Sequence, residues 1–408
     1  MFLWSQVCSL SPYISSLHLI DELMELTAQS LSRLEINDHF NIIKEIGRGK
    51  YGKVLLVTHR CRGTPMALKV MPKASTKLQG FLREYCISLH LSCHPCIVGL
   101  FGIAFQSEEH YGFAQELVIG KDLFAVIQPR VGIPEGAVKR CVLQIASALE
   151  FIHEHGLVHR DVKPENILLL DRHCCRVKLA DFGLTQKRGT LIRLISGTLP
   201  YMAPELCAMA VEPGERRPRA EPLSVEPSLD TWAFGVLIFC ILTGYFPWER
   251  CTTSDDFYQE FADWCQSPAK AATPSQWKRF TPAALEMFSR LLAVDASHRC
   301  TVGEVEAYIN VDWVRTVPPG ELVGDDGMVK ATSTLTSTLN SHYIRYIYTH
   351  SSPPADTESH GCNSVRETCS KSRGPVAVEM NVRMDMTNDR CDFEYCMIAG
   401  QPPGIFTG

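Results

Sequence analysis

The sequence predicts an α+β fold in two lobes, a small β-rich N-lobe followed by a larger helical C-lobe. Three observations carry this. Between Phe40 and Leu117 the apolar residues fall into short runs with a period near two, broken by Gly and Pro, as half-buried strands require. From Pro134 the period lengthens to threes and fours, the spacing of amphipathic helices. The apolar run from Trp232 to Phe246 is too short to span a bilayer and reads as a buried core helix.

Bulk properties narrow the function classes. The 408 residues fit two or three domains or one large bilobal unit. With 45% hydrophobic and 21% charged residues, a normal core forms and global disorder is excluded. A net charge of −5 gives no electrostatic case for nucleic acid or an anionic membrane as the main partner. The 17 cysteines are scattered, several inside apolar runs (Cys141, Cys240, Cys265), so they read as free thiols in a reducing, cytoplasmic compartment. Cys93-His94-Pro95-Cys96 lacks a second pair at zinc-finger distance and reads as a loop. The segment from Met1 to Ile20 has no basic start and is broken by serines and Pro12, so it does not read as a signal peptide.

In chain order, residues 1–39 form a helical extension. Leu19, Leu23, Leu26, Ala28, Leu31 and Leu34 recur at threes and fours, predicting a helix over Ile14 to Leu34 docked on the following domain. An autonomous interaction helix is the alternative. Strand composition then runs into Gly47-Arg48-Gly49-Lys50-Tyr51-Gly52 and resumes at Val54. A glycine turn between two strands differs from the dinucleotide fingerprint, where the turn opens a helix. Such glycines let backbone amides approach phosphates, although any flexible hairpin shares the pattern. Met66-Ala67-Leu68-Lys69-Val70 is a further strand with one charge; Lys69 either reaches solvent or neutralises a phosphate or carboxylate. Glu84, fifteen residues on, lies in a helical stretch from Lys77 to Ile87 and by itself reads as an exposed charge. Strands are expected at His94 to Val98 and near Tyr111 to Leu117. A helix then opens at Pro134, carries the stripe Val138, Val142, Ile145, Leu149 and Ile152, and ends before Gly156.

That helix delivers the chain to His159-Arg160-Asp161-Val162-Lys163-Pro164-Glu165-Asn166, which packs a base, a cation and a metal ligand into eight residues. On a surface loop this is ordinary solvated polarity. Its frame argues otherwise, because Asp181-Phe182-Gly183 follows after an apolar stretch.

In this order the motifs resemble those of a eukaryotic protein kinase from about Phe40 to Trp313. The glycine loop, Lys69, Glu84, Asp161, Asn166, Asp181-Phe182-Gly183, Ala203-Pro204-Glu205, Asp230 and Arg299 each occur once. Phe113-Ala114-Gln115-Glu116, Val138-Lys139-Arg140-Cys141-Val142, the run from Trp232 to Cys240, and Pro274-Ser275-Gln276-Trp277 are similar to the SH3-binding-domain kinase family of serine/threonine kinases.

The resemblance implies a bilobal protein kinase fold over residues 40–315, with an N-lobe of about 40–117 and a C-lobe of about 118–315. It implies an ATP- and Mg2+-dependent serine/threonine kinase acting on protein substrates. Ile46, Gly47, Gly49, Gly52, Val54 and Ala67 would enclose ATP, with Glu116 and Val118 at the hinge, Gln115 behind the adenine and Asp122 at the ribose. Lys69, held by Glu84, would take the α/β-phosphates, and Asn166 and Asp181 would chelate magnesium. Asp161 would accept the substrate proton, Lys163 would steady the γ-phosphate, and Thr198 would bridge Asp161 and Lys163 in the serine/threonine pattern. Ile195, Leu199 and Met202 suggest an apolar pocket for the residue after the acceptor; Glu165 and Asp122 would favour a basic residue before it. Asp230 would tie down the catalytic turn, and Arg299 would pair with Glu205.

Arg160 could receive a phosphate from the segment between Asp181 and Glu205, which contains Thr185, Thr190, Ser196 and Thr198. Leu194 occupies the usual phosphothreonine place, so activity is expected not to need loop phosphorylation strictly. Met209 to Leu229 reads as a surface insertion. Residues 316–408, rich in Ser, Thr, Pro and Gly, read as a disordered tail. The family name suggests SH3 partners, but no P-x-x-P occurs in the chain. The competing reading is a pseudokinase-like ATP-binding scaffold; the presence of Lys69, Asp161 and Asp181 weighs against it.

Overall fold

The computed structural model describes residues 16–49, 52–171, 173–193, 196–209, 221–266 and 272–315. Lys50, Tyr51, Leu194, Ile195, the centre of the insertion and the 316–408 tail lie outside these.

The chain opens with helix α1 (Ser16–Ser30), a short strand β1 (Ser32–Arg33) and one turn of helix α2 (Ile36–His39). Strands β2 (Phe40–Gly49), β3 (Gly52–His59), β4 (Pro65–Pro72), β5 (Leu100–Gln106) and β6 (His110–Gln115) complete a six-stranded sheet, ordered β1-β5-β6-β4-β3-β2. All its pairs are antiparallel except β1 with β5. The period of two works as strands demand. Met66, Leu68 and Val70 join Phe40, Leu55, Val57 and Phe105 in a core on one face. Alternation therefore turns Ala67, Lys69 and Met71 to the other face, where α3 (Leu78–Leu91) packs through Phe81 and Tyr85 against Tyr111 and Phe113.

Two sequence expectations shift here. The stretch from His94 to Val98 is not a strand: Ile97 makes only an isolated bridge to Leu179, and the strand begins at Leu100. Pro95 has no N–H to give a ladder. The N-terminal helix stops at Ser30 instead of continuing to Leu34, because the next residues pair with the open edge of β5. Its inward face is Ile20, with Leu23 and Met24, while Leu26 and Ala28 face solvent. Leucines at threes and fours allow two adjacent stripes, and packing selects one of them.

The C-lobe is built on α4 (Glu135–Glu154) and α6 (Ser228–Thr243), with the one-turn α5 (Pro204–Cys207) between them in sequence. The predicted stripe of α4 is buried throughout. In α6 every residue from Leu229 to Thr243 is buried, which is why its sequence is apolar all round. Trp248, Phe261, Trp277, Phe280 and Phe288 pack around it, drawing in α7 (Asp256–Gln266) and α8 (Pro282–Leu291). Helix α6 stops at Gly244, whose φ of +74° and 2.2 Å approach of a notional Cβ to the Gln128 carbonyl require glycine. Among the described residues, no helix is long and apolar enough to cross a membrane.

Candidate active site

The site lies where the sheet meets the C-lobe. Strand β7 (Leu157–Val158) leads into the catalytic turn, and the 3-10 turn Pro164–Asn166 leads out into the hairpin of β8 (Ile167–Leu169) and β9 (Val177–Leu179). The hairpin returns the chain to Asp181. Arg160 and Asp181 both adopt left-handed backbone, with φ of 67° and 63°. Such conformations cost on the order of 1–3 kcal/mol for non-glycine residues and need outside support.

Asp230 supplies it to the catalytic turn. This fully buried carboxylate accepts from the backbone N–H of His159 (2.8 Å) and of Arg160 (2.7 Å), and it meets His153 Nε2 at 2.8 Å. Burial opposes its charge, but His153 and the Arg160 amide outweigh that and hold it below the ordinary carboxylate range. His159, also buried, accepts from the Asp161 amide at Nδ1 and so donates from Nε2 to the Ala180 carbonyl (3.2 Å). Its ring meets Phe182 edge-on at 5.2 Å, linking the two turns.

On the N-lobe side, Lys69 Nζ lies 2.5 Å from Glu84 Oε1 and 3.0 Å from Asp181 Oδ1. The exposed charge that Glu84 resembled in isolation is in fact buried. Burial alone would lower the Lys69 pKa, but Asp181 and Glu84 raise it above its ordinary value. Lys69 in turn holds Asp181 down to about 2, whereas burial pushes Glu84 up. On the C-lobe side, Asp161 Oδ2 is 2.8 Å from Lys163 Nζ and accepts from Asn166 Nδ2 at 2.9 Å. Thr198 Oγ1 lies 3.5 Å from Lys163 Nζ, so it meets Asp161 through that ammonium.

The remaining positions divide by what holds them. A Cβ on Gly52 would stand 2.3 Å from the Val70 carbonyl, so strand packing already demands glycine there. Gly47 and Gly49 face no such crowding. Ile46 is exposed on β2, while Val54 and Ala67 lie on neighbouring strands in the same sheet. At the crossing to the C-lobe, Gln115 ends β6, and the Glu116 carboxylate accepts from the Gly99 amide (2.6 Å) and pairs with Lys178 (2.6 Å). Val118 follows in a connection without regular secondary structure, and Asp122 Oδ1 accepts from the Ala125 amide (2.9 Å) at the start of a short 3-10 turn. Met202 is buried, Leu199 is exposed, and a small cavity beside Asp161 is lined by Ser196, Gly197, Thr198, Tyr201 and Met202.

Arg299 makes a bidentate pair with Glu205 (2.6 and 2.7 Å) and stacks on Trp232. Arg160 is occupied: its guanidinium donates to the Leu184 carbonyl (3.2 Å) and the Ser196 hydroxyl (3.1 Å). Thr185 is buried against the His159 carbonyl, unlike the other hydroxyls of the segment. Sequence reasoning missed His153, Lys178 and the end of the insertion. There β12 (Leu223–Ser224) pairs with β11 (Leu191–Ile192), and the fully buried Val225 accepts from the Gly189 amide and donates its own N–H to the Thr190 carbonyl (both 2.9 Å). No spacing rule marks such contacts, because their partners are remote in sequence.

With this geometry in place, comparison with known proteins is decisive. The family described as "Protein kinase domain" matches residues 40–314. The chain belongs to the protein kinase family. It is 51% identical over 306 residues to "Serine/threonine-protein kinase SBK1" of Danio rerio, covering 75% of this chain and 77% of that protein. It is 47% identical over 291 residues to the SBK1 of Mus musculus, covering 71% and 68%. It is 45% identical over 306 residues to "Serine/threonine-protein kinase SBK2" of Homo sapiens, covering 75% and 86%. This kinase has the bilobal fold of its family and is an ATP-dependent enzyme that phosphorylates serine or threonine hydroxyls. The family uses ATP with Mg2+ and acts on protein substrates.

Proposed function

We propose that the cleft between Lys69 and Asp161 performs the transfer with the residues expected from the sequence in their expected roles. The observation that carries this is the Lys69 bridge to both Glu84 and Asp181, opposite the Asp161–Lys163–Asn166 cluster. Asp181, held ionised by Lys69, and the Asn166 amide offer hard oxygen donors, the chemistry that suits Mg2+. Magnesium, when bound there, neutralises charge on the phosphates. Gly47 and Gly49 leave the phosphates room beneath the loop, Lys69 binds the α/β-phosphates, and Gln115, Glu116 and Val118 border the adenine, with Ile46, Val54 and Ala67 above it. Asp122 keeps one carboxylate oxygen for the ribose. Asp161 orients the acceptor hydroxyl and takes its proton, while Lys163 steadies the γ-phosphate and Thr198 holds Lys163.

The acceptor is serine or threonine in a peptide, with an apolar residue after it seated near Leu199 and Met202. Glu165 is half-buried and its enclosed Oε2 has no hydrogen-bond partner, which favours a basic residue before the acceptor. An intact set of charged groups weighs against the scaffold reading. Regulation follows from the same region: the two terminal nitrogens of Arg160 are engaged by Leu184 and Ser196, although its buried Nε has no partner, and the insertion clips the activation segment through β11 and β12. Activity therefore does not strictly need a loop phosphate.

A library of peptides with Ser, Thr and Tyr acceptors, incubated with labelled ATP and Mg2+, tests this. Label should appear on Ser and Thr, enriched where a basic residue precedes and an apolar one follows. Label confined to Tyr, or no preference for basic residues, would contradict the respective assignments.

A further inference from the structure

Residues 16–34 precede the matched kinase domain, yet their packing is directed at the catalytic machinery. Ile20, 1% exposed, joins one core with Phe81, Leu82, Tyr85 and Cys86 of α3. Leu23, Met24 and Leu31 pack around it. Thr27 Oγ1 accepts from Cys86 Sγ at 3.7 Å, two residues beyond Glu84. On the same helix, Asp21 Oδ2 lies 2.6 Å from Lys187 Nζ in β10 (Gln186–Lys187), just beyond Asp181-Phe182-Gly183. The far end of α1 is fastened separately. β1 pairs with Phe105 and Gln106, the Leu34 amide donates to the Gln106 carbonyl (3.1 Å), and Glu35 accepts from the Glu108 amide (3.0 Å).

Helix α3 needs such support. Its N-cap is Lys77, which supplies no capping side chain, and its first turn carries no acid to complement the helix dipole. An isolated helix of this length is marginal in water, so its position depends on packing. The buried Glu84 is stable as a charge only while Lys69 faces it.

We propose that α1 is a built-in strap that positions Glu84: it seals the outer side of α3 through Ile20 and Thr27 and fixes α3 to the activation segment through Asp21 and Lys187. Ile20, Thr27 and Asp21 are positioning residues that act through Glu84. The strap's purpose rests on the reading of Glu84 as the residue that holds Lys69 in place.

The test uses the full chain and pairs amide hydrogen exchange with ATP kinetics. Ile20→Asp should speed exchange across Leu78–Leu91 by about tenfold or more, leaving Ser228–Thr243 unchanged, as local opening does. Its kcat/KM for ATP should fall roughly tenfold through KM and kcat together. Leu26→Asp, on the solvent face of the same helix, should change neither. Asp21→Lys should lower kcat/KM by about threefold, the scale of an exposed ion pair, and adding Lys187→Asp should restore it. Unchanged exchange over Leu78–Leu91 in Ile20→Asp would overturn the strap, as would equal acceleration in both helices or a double variant no better than the single one. Full activity of Glu84→Gln would instead remove the catalytic reading beneath it, while exchange in Leu78–Leu91 still reports the strap itself.

Discussion

The Lys69 side chain shows how one residue's chemistry is set by what faces it. A lysine buried without a partner loses its proton easily, whereas one facing two carboxylates keeps it. The signs for the two partners run in opposite directions. Asp181 is depressed to about 2, so its contribution is present above the ordinary carboxylate value and is lost as pH falls toward 2. Lys69 is raised, so its contribution is present below the ordinary lysine value and is lost only above it. Affinity for Mg-ATP is therefore expected to stay level from about pH 7 to pH 9.5. A basic limb in that range, measured by equilibrium binding and abolished by Lys69→Arg, would show the lysine to be unpaired. At the other end of the C-lobe, Arg299→Ala leaves Glu205 without its partner in a largely buried place. The loss should be roughly 3–5 kcal/mol, seen as a lower denaturation midpoint with an unchanged slope.

At the scale of elements, what could be read from the sequence depended on how local the cause was. Helix α6 was legible because a helix surrounded by protein must be apolar on every side, and its residues are. The turn from His159 to Asn166 stands out in the sequence because its charged residues are close together and their order resembles that of protein kinases. The His94 to Val98 strand and the last turns of the N-terminal helix were misread, because a tertiary partner decided each of them. The insertion from Met209 to Leu229 reads as a surface loop, yet near its end Leu223 and Ser224 form a strand that pairs with Ile192 and Leu191. Val225, fully buried and hydrogen-bonded through its backbone to Gly189 and Thr190, joins the two segments, and Glu226 pairs with Arg188 at 2.8 Å. Val225→Asp should therefore raise KM for a peptide acceptor about tenfold or more while leaving the affinity for ATP near wild type. Phosphatase treatment of the wild-type enzyme should change neither. Loss of activity after phosphatase treatment, with loop dephosphorylation checked by mass spectrometry, would contradict the clip as the anchor of this segment.

Across the whole described unit, one contiguous core links α1, α3 and the C-lobe helices, and a second, smaller one covers the other face of the sheet. The two halves of the proposed site sit on opposite sides of the cleft but share that larger core through Phe182, which packs on His159. Phosphoryl transfer requires the two halves to be held in register more than it requires difficult covalent chemistry. Asp161 is expected to complete this register at the acceptor. The most direct test is single-turnover phosphoryl transfer at saturating Mg-ATP and peptide, comparing the wild-type chain with Asp161→Asn. The variant should bind nucleotide normally and transfer about 10²–10⁴-fold more slowly, the range a positioned general base contributes. Equal rates for the two proteins would rule out Asp161 as the base.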